Sequence, residues 1–355
     1  MPAKVSMSTI AAEVGVSKAT VSLALRNSPE VSTAMKEKIR ETADRLGYQL
    51  NPALGQLLSQ IRNRDNYRAT IALINAHRDK GSLKSHPTIP EYVEGIRNRA
   101  DSLGYRIDYF WLNDPELKAR RLKSIMLARG IKGALVVGLM NDCNLPEKLL
   151  PIAEALPMMV TGVRTRNPTI PYVCVDHHGL ALQAVENALR LGYSRPGLVL
   201  DQTIDRLVEG RFSAGYLYGQ MRLPVEDRLP PLYQKHIEEE DQVAFKKWMQ
   251  KYQPDVIFTL YNDVSHWLEK LSIKVPQDVG LIQLEWRKSD PNWSGMRQHN
   301  DHTGEAAVDM LVGMIHRGET GLQAEPRALL IAPSWQRGKT AVKQFAETPA
   351  EMANS

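Results

Sequence analysis

Cysteine is nearly absent: Cys143 and Cys174 are the whole complement of a 355-residue chain. Two thiols so far apart form neither a disulfide framework nor a metal motif, and they suit buried apolar positions in a reducing compartment. No apolar run approaches the ~18 residues of a membrane span, and the N-terminus has no apolar leader core. A cytoplasmic chain with no membrane attachment is expected. Also missing are Gly-x-Gly-x-x-Gly and Gly-x-x-x-x-Gly-Lys-Ser/Thr phosphate loops, a His-Glu-x-x-His helix and a Gly-x-Ser-x-Gly turn. His177-His178 reads as the start of a helix, because a metal site would need further ligands. No enzyme, cofactor or metal site is expected. The lack of a 20–50-residue repeat or a low-complexity tract argues against a solenoid.

What is present begins at residues 6–25, SMSTIAAEVGVSKATVSLAL. Met7, Ile10, Ala11 and Val14 recur at helical spacing, behind a serine placed to cap the helix. Gly15 suits a left-handed helix end. Ser17 then caps a second helix whose inward residues are Val21, Ala24 and Leu25. Lys18, Ala19, Ser22 and Leu23 are left outward on a small face nearly free of acid. Two short helices across a tight turn predict a helix-turn-helix, whose second helix enters a DNA major groove. A third helix fits residues 32–46, with Met35, Ile39, Thr42, Ala43 and Leu46 inward. Residues 1–68 hold ten Lys/Arg and six Asp/Glu, a net of +4 against +5 for the whole chain. The basic excess therefore coincides with the motif, as an electrostatic footprint for a polyanion would.

The run from Ile10 to Asn27, the Val31-Ser32 pair, and Leu46-Gly47-Tyr48 followed by Asn51 resemble the LacI-type family of bacterial transcription regulators. The resemblance is specific at the N-terminus and looser downstream. It implies that Lys18, Ala19, Ser22 and Leu23 reach base edges, where lysine can donate to guanine and alanine can touch a thymine methyl. Ser17, Thr20, Arg26 and Ser32 would hold phosphates, which fixes register without reading sequence. Leu57, in 50–62 (LNPALGQLLSQIR), matches the family's minor-groove wedge on a hinge helix. Pro52 and Gly55 weaken an isolated helix there, so a plain linker is the competing reading.

Downstream, short apolar runs alternate with helical patterns, which predicts βαβ units and parallel sheets. The length of this region predicts two subdomains with a cleft between them, outside the carboxyl ends of the strands. The expected fold class is α/β: a three-helix headpiece (1–50), a linker (51–68), a two-subdomain periplasmic-binding-protein-like core (69–345) and a disordered tail (346–355). Chain crossings between the halves are expected near 164–171, 286–295 and 331–337. The resemblance carries Asn75, Arg164, Arg211, Asn262, Asp263, Glu285 and Gln298 into the cleft as effector contacts. Arg211, in Arg-Phe-Ser-Ala-Gly-Tyr, stands where the family's arginine grips sugar hydroxyls or carboxylates. Each of these positions is equally compatible with capping or loop solvation.

The expected function is a homodimeric, sequence-specific DNA-binding regulator, most simply a repressor. Its partners would be a near-palindromic double-stranded operator and a small effector, a sugar or sugar-derived metabolite. The alternative is a cytoplasmic metabolite-binding protein whose N-terminal helices contact protein rather than DNA.

Overall fold

A computed structural model describes residues 6–25, 31–46, 48, 68–140, 143–235 and 238–344. Arg26 and Leu57, the linker residues before Arg68, and the 346–355 tail lie outside the described residues. The chain divides into two compact units, Met1–Asn66 and Tyr67–Ser355.

In the first unit, α1 (Met7–Val14), α2 (Lys18–Leu25) and α3 (Thr33–Arg45) surround one small core. Ser6 caps α1 by accepting from the Thr9 amide, and the Thr9 hydroxyl accepts in return from the Ser6 amide. Gly15 ends it at φ 79°, where a side chain would be strained. Ser17 Oγ accepts from the Thr20 amide at 3.0 Å and starts α2. Ile10, Ala11, Val14, Val21, Ala24, Val31, Ile39 and Ala43 are buried together. Each fully buried valine or isoleucine of this core stabilises the unit by about 1.5–3 kcal/mol, and each alanine by less.

The second unit contains two six-stranded sheets. The first has the order β11-β5-β4-β3-β1-β2, with β1 Ala69–Asn75, β2 Tyr105–Trp111, β3 Ile131–Val137, β4 Met158–Thr161, β5 Tyr172–Val175 and β11 Ala328–Ile331. Every pairing in it is parallel. The second has the order β12-β10-β9-β8-β6-β7, with β6 Pro196–Asp201, β7 Leu232–Gln234, β8 Val256–Thr259, β9 Gly280–Gln283, β10 Ser294–Arg297 and β12 Ser334–Gln336. It is parallel except where β12 runs against β10. Central strands read as continuous apolar runs because helices cover both faces.

The chain crosses between sheets at 176–177, 298–299 and 332–333. Of the expected crossings, the third lies within its range and the first two are corrected. Residues 164–171 return β4 to β5 in the same sheet, and 286–295 return β9 to β10 in the same sheet. Loop composition marks an excursion of the chain, but it carries no record of which sheet the next strand joins. Hydrogen bonds tie the crossings together: the Asp176 amide donates to Ile331 O at 3.0 Å, and His299 Nε2 lies 2.8 Å from Ser334 Oγ.

Two helices in the first lobe set the position of Tyr92. Helix Ile89–Ser102 packs against helix Asn300–His316 so closely that a Cβ on Gly95 would overlap the Asp301 carbonyl. One on Gly304 would overlap the Tyr92 carbonyl. Glycine is required at both positions by space rather than by backbone angle.

Candidate functional site

On the headpiece, Ser17, Lys18, Ala19 and Ser32 are exposed, while Thr20 and Ser22 are half-buried. None of the residues Lys18–Leu25 is acidic, so α2 presents no charge that would repel a phosphate backbone. Leu23, expected to point outward, is half-buried and packs against the headpiece core. Ser32 stands at the N-cap of α3 but makes no side-chain cap bond. Its hydroxyl is therefore not committed to the helix.

In the second unit, a cavity of about 110 Å³ opens between the lobes at the carboxyl ends of the strands. The first lobe contributes His86, Thr88 and Tyr92, then Gly138–Met140 after β3 and Thr161–Val163 at the end of β4. The second contributes His177, Ile204, Phe212, Leu260, Tyr261, Glu285 and Gln298. Mostly apolar walls with a few polar groups are the usual make-up of a small-molecule site.

Glu285 is buried, accepts from Thr88 Oγ1 at 2.7 Å across the lobes, and pairs with Arg287 at 3.0 Å. Gln298 is buried and donates to Leu284 O at 3.1 Å, which leaves its carbonyl oxygen for the cavity. Thr161 Oγ1 and His177 Nδ1 are buried without a hydrogen-bond partner among the described residues. Burial, reinforced by Arg211, pushes the His177 imidazole down to about 3. Burial also lowers His86, helped by His77 and Arg287. Both rings are held toward the neutral form. Burial, with Glu285 and Cys174 near, pushes the Tyr92 phenol up, so it remains a donor.

Of the seven positions expected in the cleft, Glu285 and Gln298 line this cavity. Asn262 and Asp263 line an adjoining groove with Leu260, Tyr261, Gln283 and Arg287, and Asn262 Oδ1 accepts from Gln283 Nε2 at 3.2 Å. Asn75 is buried at the end of β1 and organises the following loop. Its amide donates to Asp79 O and Lys80 O, and its oxygen accepts from the His77 amide and Ser82 Oγ. Arg164 is exposed and lies 3.5 Å from Glu209. Arg211 pairs with Glu209 at 3.3 Å and donates to Cys174 Sγ at 3.2 Å. Burial opposes ionisation of Glu209, but Arg166, Arg164 and Arg211 hold its carboxyl below the usual range.

Sequence reasoning missed Thr88, Tyr92, Thr161, His177, Phe212 and Tyr261. The available signal was position just past an apolar strand, which His177 and Tyr261 share. Among the described residues no tryptophan lines the cavity; Trp286 Nε1 instead donates to Trp293 O within its own loop. One grouping among the described residues, His299, Asp301 and His302, brings possible metal donors within 4.8 Å of one another. Asp301 is already paired with Arg297 at 2.9 Å. Among the described residues no helix is long and apolar enough to cross a membrane.

This combination of a helix-turn-helix unit and a two-lobed body with an interlobe cavity defines a class of ligand-responsive DNA-binding proteins. Residues 6–51 match the bacterial regulatory proteins of the lacI family, and residues 185–341 match the periplasmic binding protein-like domain. Residues 6–51 thus resemble the DNA-binding domain of the lacI family, and its union with a periplasmic binding protein-like body is the organisation of a DNA-binding transcriptional regulator. An HTH-type transcriptional regulator of Mycolicibacterium smegmatis is 25% identical over 56% of the chain, an alignment covering 52% of that relative. The regulator CelR of Thermobifida fusca is 23% identical over 92% of the chain and 95% of its own length. The solved complex of CelR with cellobiose superposes with a TM-score of 0.59 at 19% identity, covering 95% of this chain and 99% of that one. The lac repressor dimer bound to operator and an anti-inducer gives 0.56 at 17% identity, with coverage of 95% and 99%. Both structures share the fold.

Proposed function

We propose that the protein is a cytoplasmic, homodimeric repressor that reads a near-palindromic operator and is controlled by a small sugar or sugar-derived metabolite bound between the lobes. Lys18, Ala19, Ser22 and Leu23 face base edges, with Leu23 contributing the part of its side chain not packed on the core. Ser17, Thr20, Arg26 and Ser32 hold phosphates, and Leu57 enters the minor groove. The observation that carries this reading is the exposed, acid-free start of α2, fixed by the Ser17 cap. Two copies related by a twofold axis would place two such helices on successive half-sites.

The effector acts through a difference in its affinity for two arrangements of the lobes. The interlobe Thr88–Glu285 hydrogen bond is a contact that any change in the lobe angle must break or keep.

Fluorescence anisotropy of the full chain on labelled duplex, titrated with salt, tests the DNA half of this reading. Specific binding that weakens steeply with salt, and is reduced in Lys18→Ala, is expected. Binding indifferent to salt and to Lys18 would instead favour a protein-contacting role for the N-terminal helices.

A further inference from the structure

We propose that His299, Asp301 and His302 form a site for a divalent transition-metal ion of the imidazole-preferring kind, such as Zn²⁺, and that the bound ion clamps the crossing between the lobes.

The first argument is convergence. Each of the three residues offers a donor atom, and these atoms lie within 4.8 Å of one another. The rings of His299 and His302 stand side by side, with centroids 5.0 Å apart and planes 10° apart. Donors around one zinc ion lie roughly 3.3 Å apart at bond lengths of about 2.0–2.1 Å. His302 is exposed and has the freedom to close the remainder. Spacing in the sequence does not mark this group; the turn into helix Asn300–His316 assembles it.

The second argument is unmet capacity. His299 Nδ1, Asn300 Oδ1 and Asp301 Oδ1, on three consecutive residues, are buried without a hydrogen-bond partner among the described residues. Such atoms are unfavourable unless something else satisfies them. The opposite atoms of the two ligands are already engaged. His299 Nε2 lies 2.8 Å from Ser334 Oγ, and Asp301 Oδ2 accepts from Arg297 at 2.9 Å. With Nε2 donating to Ser334, His299 Nδ1 carries the lone pair that a metal needs. Outer partners of this kind orient ligating imidazoles and carboxylates.

The third argument concerns the choice of ion. Arg297 and the positive end of the helix oppose a cation held by charge alone, which disfavours Mg²⁺ and Ca²⁺. Two imidazoles and one carboxylate suit an ion that bonds to nitrogen, such as Zn²⁺, Ni²⁺ or Cu²⁺.

The fourth argument is placement. His299 stands at the 298–299 crossing in a left-handed backbone at φ 56°, which a residue other than glycine keeps only where its surroundings hold it. Its partner Ser334 follows the 332–333 crossing, and the Asp301 carbonyl is packed against Gly95. An ion on these ligands would tie two crossings to the start of one helix.

The test titrates the full chain with ZnCl₂ against a chromogenic chelator, with MgCl₂ for comparison, and reads hydrogen exchange at 297–302 and 332–336. One Zn²⁺ per chain is expected, with Mg²⁺ weaker by about 100-fold or more. His302→Ala, at an exposed position, and His299→Gln are each expected to weaken Zn²⁺ by about tenfold or more, while His266→Ala leaves it unchanged. Zn²⁺ is expected to slow exchange at both segments in the unaltered chain and at neither in His302→Ala. Zn²⁺ held equally by the His302 and His299 variants, or no more tightly than Mg²⁺, would overturn the site. Binding that both variants lose, without slowed exchange at 332–336 in the unaltered chain, would overturn the clamp and leave the site.

Discussion

The headpiece and the two-lobed body bury apolar residues by the same rules but place their polar groups oppositely. In the headpiece, eight small residues fill the core and Ser17, Lys18 and Ala19 stand outside it. In the body, Thr161, His177, Glu285 and Gln298 are all buried, and they meet only when two sheets face one another. A surface that reads a long polyanion must be exposed and can be assembled locally. A site that distinguishes small molecules needs enclosure, and enclosure draws residues from distant parts of the chain.

Substitutions confined to one region should leave the other unaffected. The largest expected effect is on the body. Gly304→Val forces a branched side chain into the Tyr92 backbone and is expected to cost about 3 kcal/mol or more, seen as a lower melting temperature of the body. Headpiece mutations should leave that melting temperature in place. Lys18→Ala is expected to cost about 1–3 kcal/mol of specific DNA affinity, measured by anisotropy, with no change in effector binding.

Acid should act on the body in a definite direction. Unfolded histidine takes up a proton near its ordinary value of 6.5, whereas folded His177 does so only near 3. Its contribution is therefore fully present above pH 6.5 and is lost as the pH falls toward 3. The slope is at most about 1.4 kcal/mol per pH unit. Chemical denaturation at pH 7 and pH 5 checks this, and His177→Leu should flatten the dependence. The smallest effect is Ser17→Ala, which removes the cap of α2 and is expected to destabilise the headpiece by about 1 kcal/mol in helical circular dichroism.

Legibility in the sequence follows the same division. Ile10, Val14, Val21 and Ile39 are legible because helical periodicity is local, and so is the Gly15 turn. Strand–helix alternation in the body is equally local, and the parallel sheets followed from it. The short strands β7 (Leu-Tyr-Gln), β10 (Ser-Gly-Met-Arg) and β12 (Ser-Trp-Gln) contain no apolar run, so the sequence carries no strand signal there, unlike at β8 or β11. Two chain crossings were misplaced because a loop does not encode its destination sheet. Arg211 illustrates what the sequence leaves out at the site: its position in the chain resembles that of a ligand-gripping arginine, but its ion pair with Glu209, two residues earlier, is visible only in the fold. His177 illustrates the converse, since a histidine at a helix start becomes a cavity wall only through the opposing lobe.

The measurement that bears most directly on the account is selection of bound sequences from randomised duplexes by the full chain, followed by the same selection with Lys18→Ala. Enrichment of a near-palindromic site, with preference relaxed within each half-site by the substitution, is the predicted result. Recovery of an unenriched pool by the unaltered chain would contradict the assignment of α2 as the helix that reads DNA.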